Sequence, residues 1–322
     1  MKILLTGCAG FIGSHTAERL LNLDHKVIGI DNFSSFYSKE IKEANLSHFI
    51  KHPNFVFHEV DIRHKAVLYE VLKEPVDLVV HLAAKAGVRP SINDPEAYID
   101  VNLKGTQHIL QWMKDKGVKK MFFASSSSVY GNNDSGEALS EHKYDVKPIS
   151  PYAFTKRAAE LMNHSYHHLY DMDILNARFF TVFGPRQRPD LAIHKFVQLI
   201  ANGKAIEMYG DGSTARDYTY VDDTVDGILA GIDFLSENNN VFETINLGNQ
   251  HPVSLKQMIE VIYAKMDKEP RVDTKSMQEG DVNLTYADIS KAKSLLNYEP
   301  KTKFEDGVAK FVAWYNQQPK RI

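Results

Sequence analysis

Two residues able to exchange protons, Tyr152 and Lys156, lie four positions apart in the segment 150–156, which reads SPYAFTK. On a helix this spacing puts both side chains on one face. A phenol ordinarily has a pKa of about 10, but a neighbouring ammonium group favours the phenolate. The pair therefore predicts acid–base chemistry on a substrate hydroxyl, with Tyr152 and Lys156 as catalytic residues.

A run of serines precedes this pair and adds a third component. Residues 119–124 read as a strand, and Ser126, Ser127 and Ser128 follow its end. A hydroxyl at that place can bridge the phenolate and a substrate alcohol, and we assign this catalytic role to Ser126. Alone, the tyrosine–lysine spacing also occurs on any amphipathic helix, and a serine run is also typical of a solvated loop.

The first 31 residues supply the context that favours catalysis. They read as strand, turn, helix and strand, with Gly7, Gly10 and Gly13 in and after the turn. The first glycine permits the tight turn, the second lets the backbone approach a diphosphate, and the third lets helix and strand pack closely. This unit predicts dinucleotide binding, with the diphosphate at the positive end of the helix.

Asp31 closes the second strand, where a carboxylate can accept hydrogen bonds from the adenosine ribose. No arginine follows it directly, so NAD is favoured over NADP, whose 2′-phosphate would meet a like charge. The residues of this unit predicted to contact NAD are Gly7, Gly10, Phe11, Ile12, Gly13, Asp31, Asn32 and Ser35.

Strands and helices alternate through the first half of the chain, which predicts an α/β fold of the Rossmann type, a doubly wound parallel sheet. Asp61 and Ile62 follow the strand 55–60, at the expected adenine edge. Leu82, Ala83 and Ala84 close the apolar strand 77–82, where the cofactor must pass. Asn102 lies in a long predicted helix, about 95–116.

The pattern of predicted elements changes near Thr181. A loop with two prolines begins there, and the predicted helices and strands beyond it are shorter. We predict an NAD-binding domain over 1–180, joined by about 217–248. Residues 181–216 and 249–322 would form a smaller α/β lobe that binds substrate. The ligand is expected in the crevice between the two.

Composition narrows the possible partners. The chain has 322 residues, 43% hydrophobic and 25% charged, and a formal net charge of −3, which favours neither nucleic acid nor an anionic membrane. Neither a signal peptide nor a membrane span is predicted, and the single cysteine fits a reducing cytoplasm. No metal is predicted, because His164 and His168 lack a third ligand.

At this point the sequence resembles the extended short-chain dehydrogenase/reductase family over nearly its whole length. The resemblance is carried by TGCAGFIG at 6–13, HLAA at 81–84, SSSSVYG at 125–131, SPYAFTK at 150–156, RFFTVFGPRQRPD at 178–190, ARDYTYVDD at 215–223 and NLGN at 246–249. It implies an NAD-dependent 4-epimerase of a nucleotide sugar. The pattern is most similar to the UDP-glucuronate 4-epimerases, which make UDP-galacturonate through a 4-keto intermediate.

Two departures from related patterns support that choice. Dehydratases and uronate decarboxylases of the family carry an acid before Val-Tyr-Gly, where this chain has Ser127 and Ser128. UDP-galactose 4-epimerases carry an asparagine where this chain has Thr181. The resemblance implies that these residues and Arg188 bind the sugar carboxylate, which a guanidinium can pair with in a bidentate way. The alternative for Arg188 is a solvated loop arginine.

The resemblance implies further roles in binding. Tyr209 would pack on uracil, Arg216 would bind the diphosphate and Asp281 would contact the nucleotide, while Lys85, Arg89 and Asn102 would touch NAD or substrate. Each could instead be an ordinary structural polar residue. A homodimer is expected through the helices at about 95–116 and 151–170. Three alternatives stay open: a UDP-glucose/galactose 4-epimerase, a UDP-glucuronate decarboxylase, and a non-catalytic NAD-binding module.

Overall fold

The computed structural model describes residues 1–133, 135–143, 146–276 and 284–318. The strands in these residues are β1 (Lys2–Thr6), β2 (Lys26–Asp31), β3 (Phe55–Glu59), β4 (Leu78–His81), β5 (Lys120–Ser126), β6 (Asp173–Phe179), β7 (Thr181–Phe183), β8 (Ile206–Tyr209), β9 (Ala215–Tyr220), β10 (Phe242–Leu247), β11 (Pro252–Ser254) and β12 (Val272–Lys275). The α-helices are α1 (Phe11–Asn22), α2 (Lys39–Ser47), α3 (Lys65–Val71), α4 (Val88–Asn93), α5 (Pro95–Ile99), α6 (Thr106–Lys116), α7 (Pro151–Tyr170), α8 (Ala192–Ala201), α9 (Val221–Glu237), α10 (Leu255–Met266), α11 (Ser290–Leu296) and α12 (Phe304–Gln317).

Seven parallel strands form the central sheet, in the order β10-β6-β5-β4-β1-β2-β3. The order reverses between β1 and β4, so the loops after these two strands leave a crevice at their carboxyl ends. The predicted Rossmann-type fold is confirmed.

The central strands are buried on both faces, as a parallel sheet covered by helices requires. Ile3 and Leu5 of β1 belong to a core shared with α1 and α9, whereas Leu4 belongs to a second core shared with α3 and α6. Nearly continuous apolar strands therefore replace the alternating pattern of a half-exposed sheet.

A second group of strands lies outside the central sheet. The strands β11, β9 and β7 form one small sheet, and β12 pairs with β8 in another. Helices α8, α10 and α12 contribute to a third core, centred on residues such as Phe183 and Phe311. The domain limits proposed from the sequence stay a prediction.

The predicted helix from Pro95 to Lys116 contains an unpredicted feature. It is continuous, but the six residues Asp100–Gly105 between α5 and α6 form a π-helical segment. Such segments insert one extra residue into a turn and often lie at functional sites.

Of the helices in the described ranges, none combines the length and apolar character that a membrane span requires.

Candidate active site

The loop after β1 forms a tight glycine cradle. Gly7 has a φ of +75°, and a Cβ on Gly13 would lie 2.1 Å from the Gly7 carbonyl oxygen. Helix α1 then begins after Gly10, whose absent side chain leaves the first N–H groups of the helix uncapped. This arrangement fits a dinucleotide diphosphate, which needs close backbone approach and a helix N-terminus.

A cleft of about 410 Å³ opens at the carboxyl ends of the strands. It brings together all of the predicted NAD-binding residues except Asn102. These lining residues are Gly7, Gly10, Phe11, Ile12, Gly13, Asp31, Asn32, Ser35, Asp61, Ile62, Leu82, Ala83, Ala84, Lys85, Tyr152 and Lys156. The cleft also contains residues that the sequence did not single out, including Phe36, Tyr37, Lys42 and Arg63.

Two carboxylates lie at the end of the cleft expected to hold adenosine. Asp31 accepts hydrogen bonds from the backbone N–H groups of Ala9 (3.2 Å) and Phe33 (2.9 Å). Asp61 accepts from the guanidinium of Arg63, with a shortest distance of 2.7 Å, and from the Asn32 amide at 2.9 Å. Burial alone would raise the pKa of Asp61, but the hydrogen bonds from Arg63 and Asn32 lower it to about 2.

Asn102 lies behind the cleft, on the π-helical segment. Its Oδ1 accepts from the Lys85 backbone N–H at 2.8 Å, and its Nδ2 donates to the Lys85 carbonyl and to Thr155 Oγ1, both at 3.0 Å. Asn102 therefore ties the loop after β4 to α7. The Lys85 ammonium pairs with Asp94 at 2.6 Å.

Tyr152 lies in the first turn of α7, which Ser150 caps by accepting from the Ala153 N–H at 3.2 Å. Burial raises the pKa of the Tyr152 phenol, while a hydrogen bond with Ser126 and the positive charge of Arg188 oppose this rise. Ser126 thus lies within reach of the phenol at the end of β5. The edge of the Tyr98 ring packs against Tyr152, with ring centroids 6.2 Å apart.

Lys156 is buried one turn further along α7. Its ammonium donates to the Ala124 carbonyl at 2.7 Å and lies 5.1 Å from the centroid of the Phe123 ring. Burial lowers the pKa of Lys156 to about 7, although the negative charge of Glu160 partly offsets this effect. The lysine therefore titrates close to neutral pH.

A buried charge cluster that the sequence reasoning missed holds the strand ends against α7. Glu160 accepts from Ser125 Oγ at 2.6 Å and from Nε and Nη2 of Arg178 at 2.9 and 2.8 Å. Arg157 adds an ion pair to Glu160 at 2.9 Å. The available signal was the spacing, because Glu160 follows Lys156 by four residues on the same helix face.

Arg188 also lines the cleft, in the loop before α8. Its Nε and Nη2 donate to the two carboxylate oxygens of Asp190 at 2.9 and 2.8 Å. The guanidinium carbon lies 5.0 Å from the centroid of the Phe36 ring, which belongs to the loop after β2. Arg188 is therefore not a solvated loop arginine, because its side chain is only 15% exposed and packs against Phe36.

The remaining predicted substrate residues that the structure describes do not line the cleft. Ser127 and Ser128 form a short 3₁₀ turn, in which Ser128 Oγ lies 2.7 Å from Ser126 Oγ. Thr181 begins β7, and Arg216 lies in β9. Tyr209 ends β8, near enough to Arg89 for the arginine charge to act on its hydroxyl. Asp281 lies outside the described residues.

The glycine cradle, the doubly wound sheet and the tyrosine–lysine pair define an NAD-dependent enzyme of the extended short-chain dehydrogenase/reductase type. The chain belongs to the GDP-mannose 4,6 dehydratase family, whose model matches residues 4–311. It is 42% identical over 316 residues to a UDP-glucuronate 4-epimerase of Thermodesulfobacterium geofontis, covering 97% of this chain and 95% of the relative.

Solved structures agree with this relationship. The UDP-glucuronic acid 4-epimerase of Bacillus cereus, crystallised with UDP-glucuronic acid and NAD, is 36% identical, with a TM-score of 0.90. The alignment covers 98% of this chain and 99% of that one. The UDP-glucose 4-epimerase of Thermotoga maritima, solved with UDP-glucose, is 31% identical, with a TM-score of 0.87 and coverage of 98% and 99%.

Proposed function

We propose that this protein is an NAD-dependent UDP-sugar 4-epimerase that converts UDP-glucuronate into UDP-galacturonate. The observation that carries the proposal is the placement of Arg188 in the same cleft as Tyr152 and Lys156. The same cleft thus offers an acid–base pair for a sugar hydroxyl and a guanidinium for a carboxylate.

Tyr152 takes the proton from the sugar O4, with Ser126 bridging the phenol and the substrate. NAD, when bound, accepts a hydride from C4 and returns it to the opposite face of the ring. The sugar rotates about its diphosphate linkage between these two events, and Tyr152 then gives the proton back. Lys156 supplies the positive charge that favours the phenolate.

The 4-keto sugar formed from a uronate is a β-keto acid and loses CO2 when its C5–carboxylate bond stands perpendicular to the carbonyl plane. We assign Arg188, Thr181, Ser127 and Ser128 to the carboxylate, which they hold away from that geometry. Tyr209 and Arg216 are assigned to uracil and diphosphate, with Asp281 beside the nucleotide and Arg89 near the substrate.

Product analysis by NMR after incubation with UDP-glucuronate tests the proposal. UDP-galacturonate is the expected product. UDP-xylose would point instead to a decarboxylase, and turnover of UDP-glucose alone would point to a neutral-sugar epimerase. Inactivity with a panel of nucleotide sugars, under conditions where NAD is bound, would favour a non-catalytic binding module.

We also propose a homodimer formed through α7 and the helix from Pro95 to Lys116. Support comes from large apolar side chains on the outer faces of these helices, since Phe154, Leu161 and Ile99 are 49%, 56% and 45% exposed. Light scattering at micromolar concentration measures the mass, and a monomer would contradict this proposal. A cytoplasmic location is proposed with it, supported by the single, buried cysteine.

A further inference from the structure

The Arg188–Asp190 pair is an ion pair with one side left open. Nε and Nη2 of Arg188 both face Asp190, which uses one edge of the guanidinium fork. A guanidinium has a second edge, formed by Nη1 and Nη2, that can bind another carboxylate in the same bidentate way. Among the residues that the structure describes, no hydrogen bond from Arg188 Nη1 is recorded.

Two contacts fix the direction of that second edge. The bidentate contact with Asp190 sets the guanidinium within its own plane, because the fork is rigid. The Phe36 ring, 5.0 Å from the guanidinium carbon, packs against the same group from the loop after β2. These two contacts restrict rotation of the long Arg188 side chain. The side chain therefore loses less conformational entropy when a ligand binds.

Asp190 is ionised at neutral pH. Burial alone would raise the pKa of Asp190, but the hydrogen bonds and positive charge of Arg188 lower it. Its side chain is 43% exposed, against 15% for Arg188, so the carboxylate lies on the solvent side of the pair. This leaves the cleft side of the arginine for a ligand.

We propose that Asp190 is a positioning residue that orients the open edge of Arg188 toward the carboxylate of the uronate. Asp190 thereby sets the preference for a uronate over a neutral hexose and limits loss of CO2 from the 4-keto intermediate. This inference rests on the proposed function and deepens it.

The side reaction gives a specific readout. In the 4-keto sugar, the bond from C5 to the carboxylate carbon breaks, CO2 leaves, and the electron pair forms an enolate with the C4 carbonyl. Water protonates C5 to give a UDP-4-ketopentose. The two electrons first taken from C4 stay on the nicotinamide when this ketone departs, so each CO2 lost leaves one reduced cofactor.

The test uses the full chain with bound NAD and three variants, Asp190→Ala, Asp190→Asn and Asp190→Glu. NMR measures UDP-4-ketopentose against UDP-galacturonate, near-ultraviolet absorbance measures reduced nicotinamide, and calorimetry measures Kd for UDP-glucuronate and UDP-glucose. For Asp190→Ala and Asp190→Asn we expect the ketopentose fraction and the Kd for UDP-glucuronate to rise on the order of tenfold. The Kd for UDP-glucose should change less than about twofold.

Asp190→Glu should restore most of the wild-type behaviour, because a carboxylate can again face the arginine. The control is Glu18→Gln, which removes the carboxylate that lies 2.8 Å from the Arg186 guanidinium in the same loop. If this control releases as much ketopentose as Asp190→Ala, general loosening of the loop explains the effect and the proposal is wrong.

Unchanged product ratios and unchanged relative affinities in Asp190→Asn would also overturn it, as would equal weakening of both ligands. A wild-type protein that makes no UDP-galacturonate would refute the proposed function itself. In that case the binding comparison between UDP-glucuronate and UDP-glucose still decides on Asp190. Thermal unfolding of each variant identifies any that do not fold, and Asp190→Asn, which is nearly isosteric with the native residue, provides the decisive measurement.

Discussion

Arg178 and Arg188 make the same bidentate contact with a carboxylate in two different surroundings. Arg178 and its partner Glu160 have side chains only 4% and 2% exposed, and the carboxylate is also bonded to Ser125. Arg188 lines the cleft, and the side chains of Arg188 and Asp190 are 15% and 43% exposed. Surroundings therefore separate the two pairs: the buried one holds strand ends and helix together, while the open one keeps donors for a ligand.

Under the proposed function, the acid–base chemistry belongs to the buried side of the site, with Tyr152 and Lys156, and the choice of sugar belongs to the open side, with Arg188 and Asp190. A prediction about Tyr152 tests the first half. Tyr152→Phe removes the hydroxyl that carries the proton, so we expect kcat to fall about 10²–10⁴-fold. NMR of reaction samples quenched at successive times measures this fall in kcat.

Tyr166→Phe is the matched control, because Tyr166 lies on the same helix and its hydroxyl faces Gln111 at 3.5 Å, far from the cleft. The control should keep its activity, and Tyr152→Phe should keep its affinity for UDP-glucuronate. A nearly normal kcat in Tyr152→Phe would mean that Tyr152 does not carry the acid–base chemistry.

The free energy of unfolding of two variants compares the Arg178–Glu160 and Arg188–Asp190 pairs directly. Glu160→Ala leaves the buried charge of Arg178 without its partner, so we expect a loss of about 3–5 kcal/mol in the free energy of unfolding. Asp190→Ala removes a partly exposed partner and should cost less than about 1 kcal/mol. Urea unfolding of the two variants, followed by circular dichroism, gives both values. Equal losses would mean that burial does not distinguish the pairs.

Substrate preference tests the open side. Arg188→Ala should lower kcat/KM for UDP-glucuronate by on the order of 10²-fold, because it removes a charge-assisted bidentate contact with the carboxylate. Arg188→Lys keeps the charge but loses the fork, and should fall between wild type and alanine. The binding of UDP-glucose, measured by calorimetry, is the internal control. If both ligands weaken equally, Arg188 does not select the uronate.

The smallest effect concerns Lys156 and pH. Burial lowers the pKa of Lys156 from 10.5 to about 7 in the folded protein. Above pH 7 the unfolded chain holds more protons than the folded one, so the free energy of unfolding rises with pH, by on the order of 1 kcal/mol per pH unit. Below pH 7 both states hold the proton and this contribution is lost.

Urea unfolding of the cofactor-free protein between pH 6 and 9 measures this slope. Lys156→Met should be flatter than wild type across the range above 7, whereas Tyr152→Phe should keep the slope. Equal slopes in wild type and Lys156→Met would show that the buried side does not carry a titrating lysine.

The sequence predicted the parts whose signals are local. The glycine turn at Gly7–Gly13 and the buried strands each depend on a few neighbouring residues, and the structure agrees with them. The tyrosine–lysine pair follows from helical spacing alone. Assigning these residues to NAD and substrate also required the resemblance to a known family.

The two carboxylate pairs could not be found in the same way. Glu160 meets Arg178 only because α7 packs beside β6, and Arg188 contacts Phe36 although the two residues lie far apart in the sequence. The loop that carries Arg188 also depends on Arg186, whose φ of +63° is rare for a residue with a side chain. Contacts of this kind are decided by tertiary packing, which no local pattern records.

The π-helical segment also limits how this chain can vary in length. A π-helical turn accommodates one extra residue, so one residue fewer between Asp100 and Gly105 would give a regular helix and change the directions of the side chains inside the segment. Asn102 would then point away from Thr155, and the loop at Lys85 would lose its link to the helix that bears Tyr152. A single-residue deletion here would thus be as damaging as replacing Asn102 itself. The number of residues in this helix is therefore constrained independently of their identity.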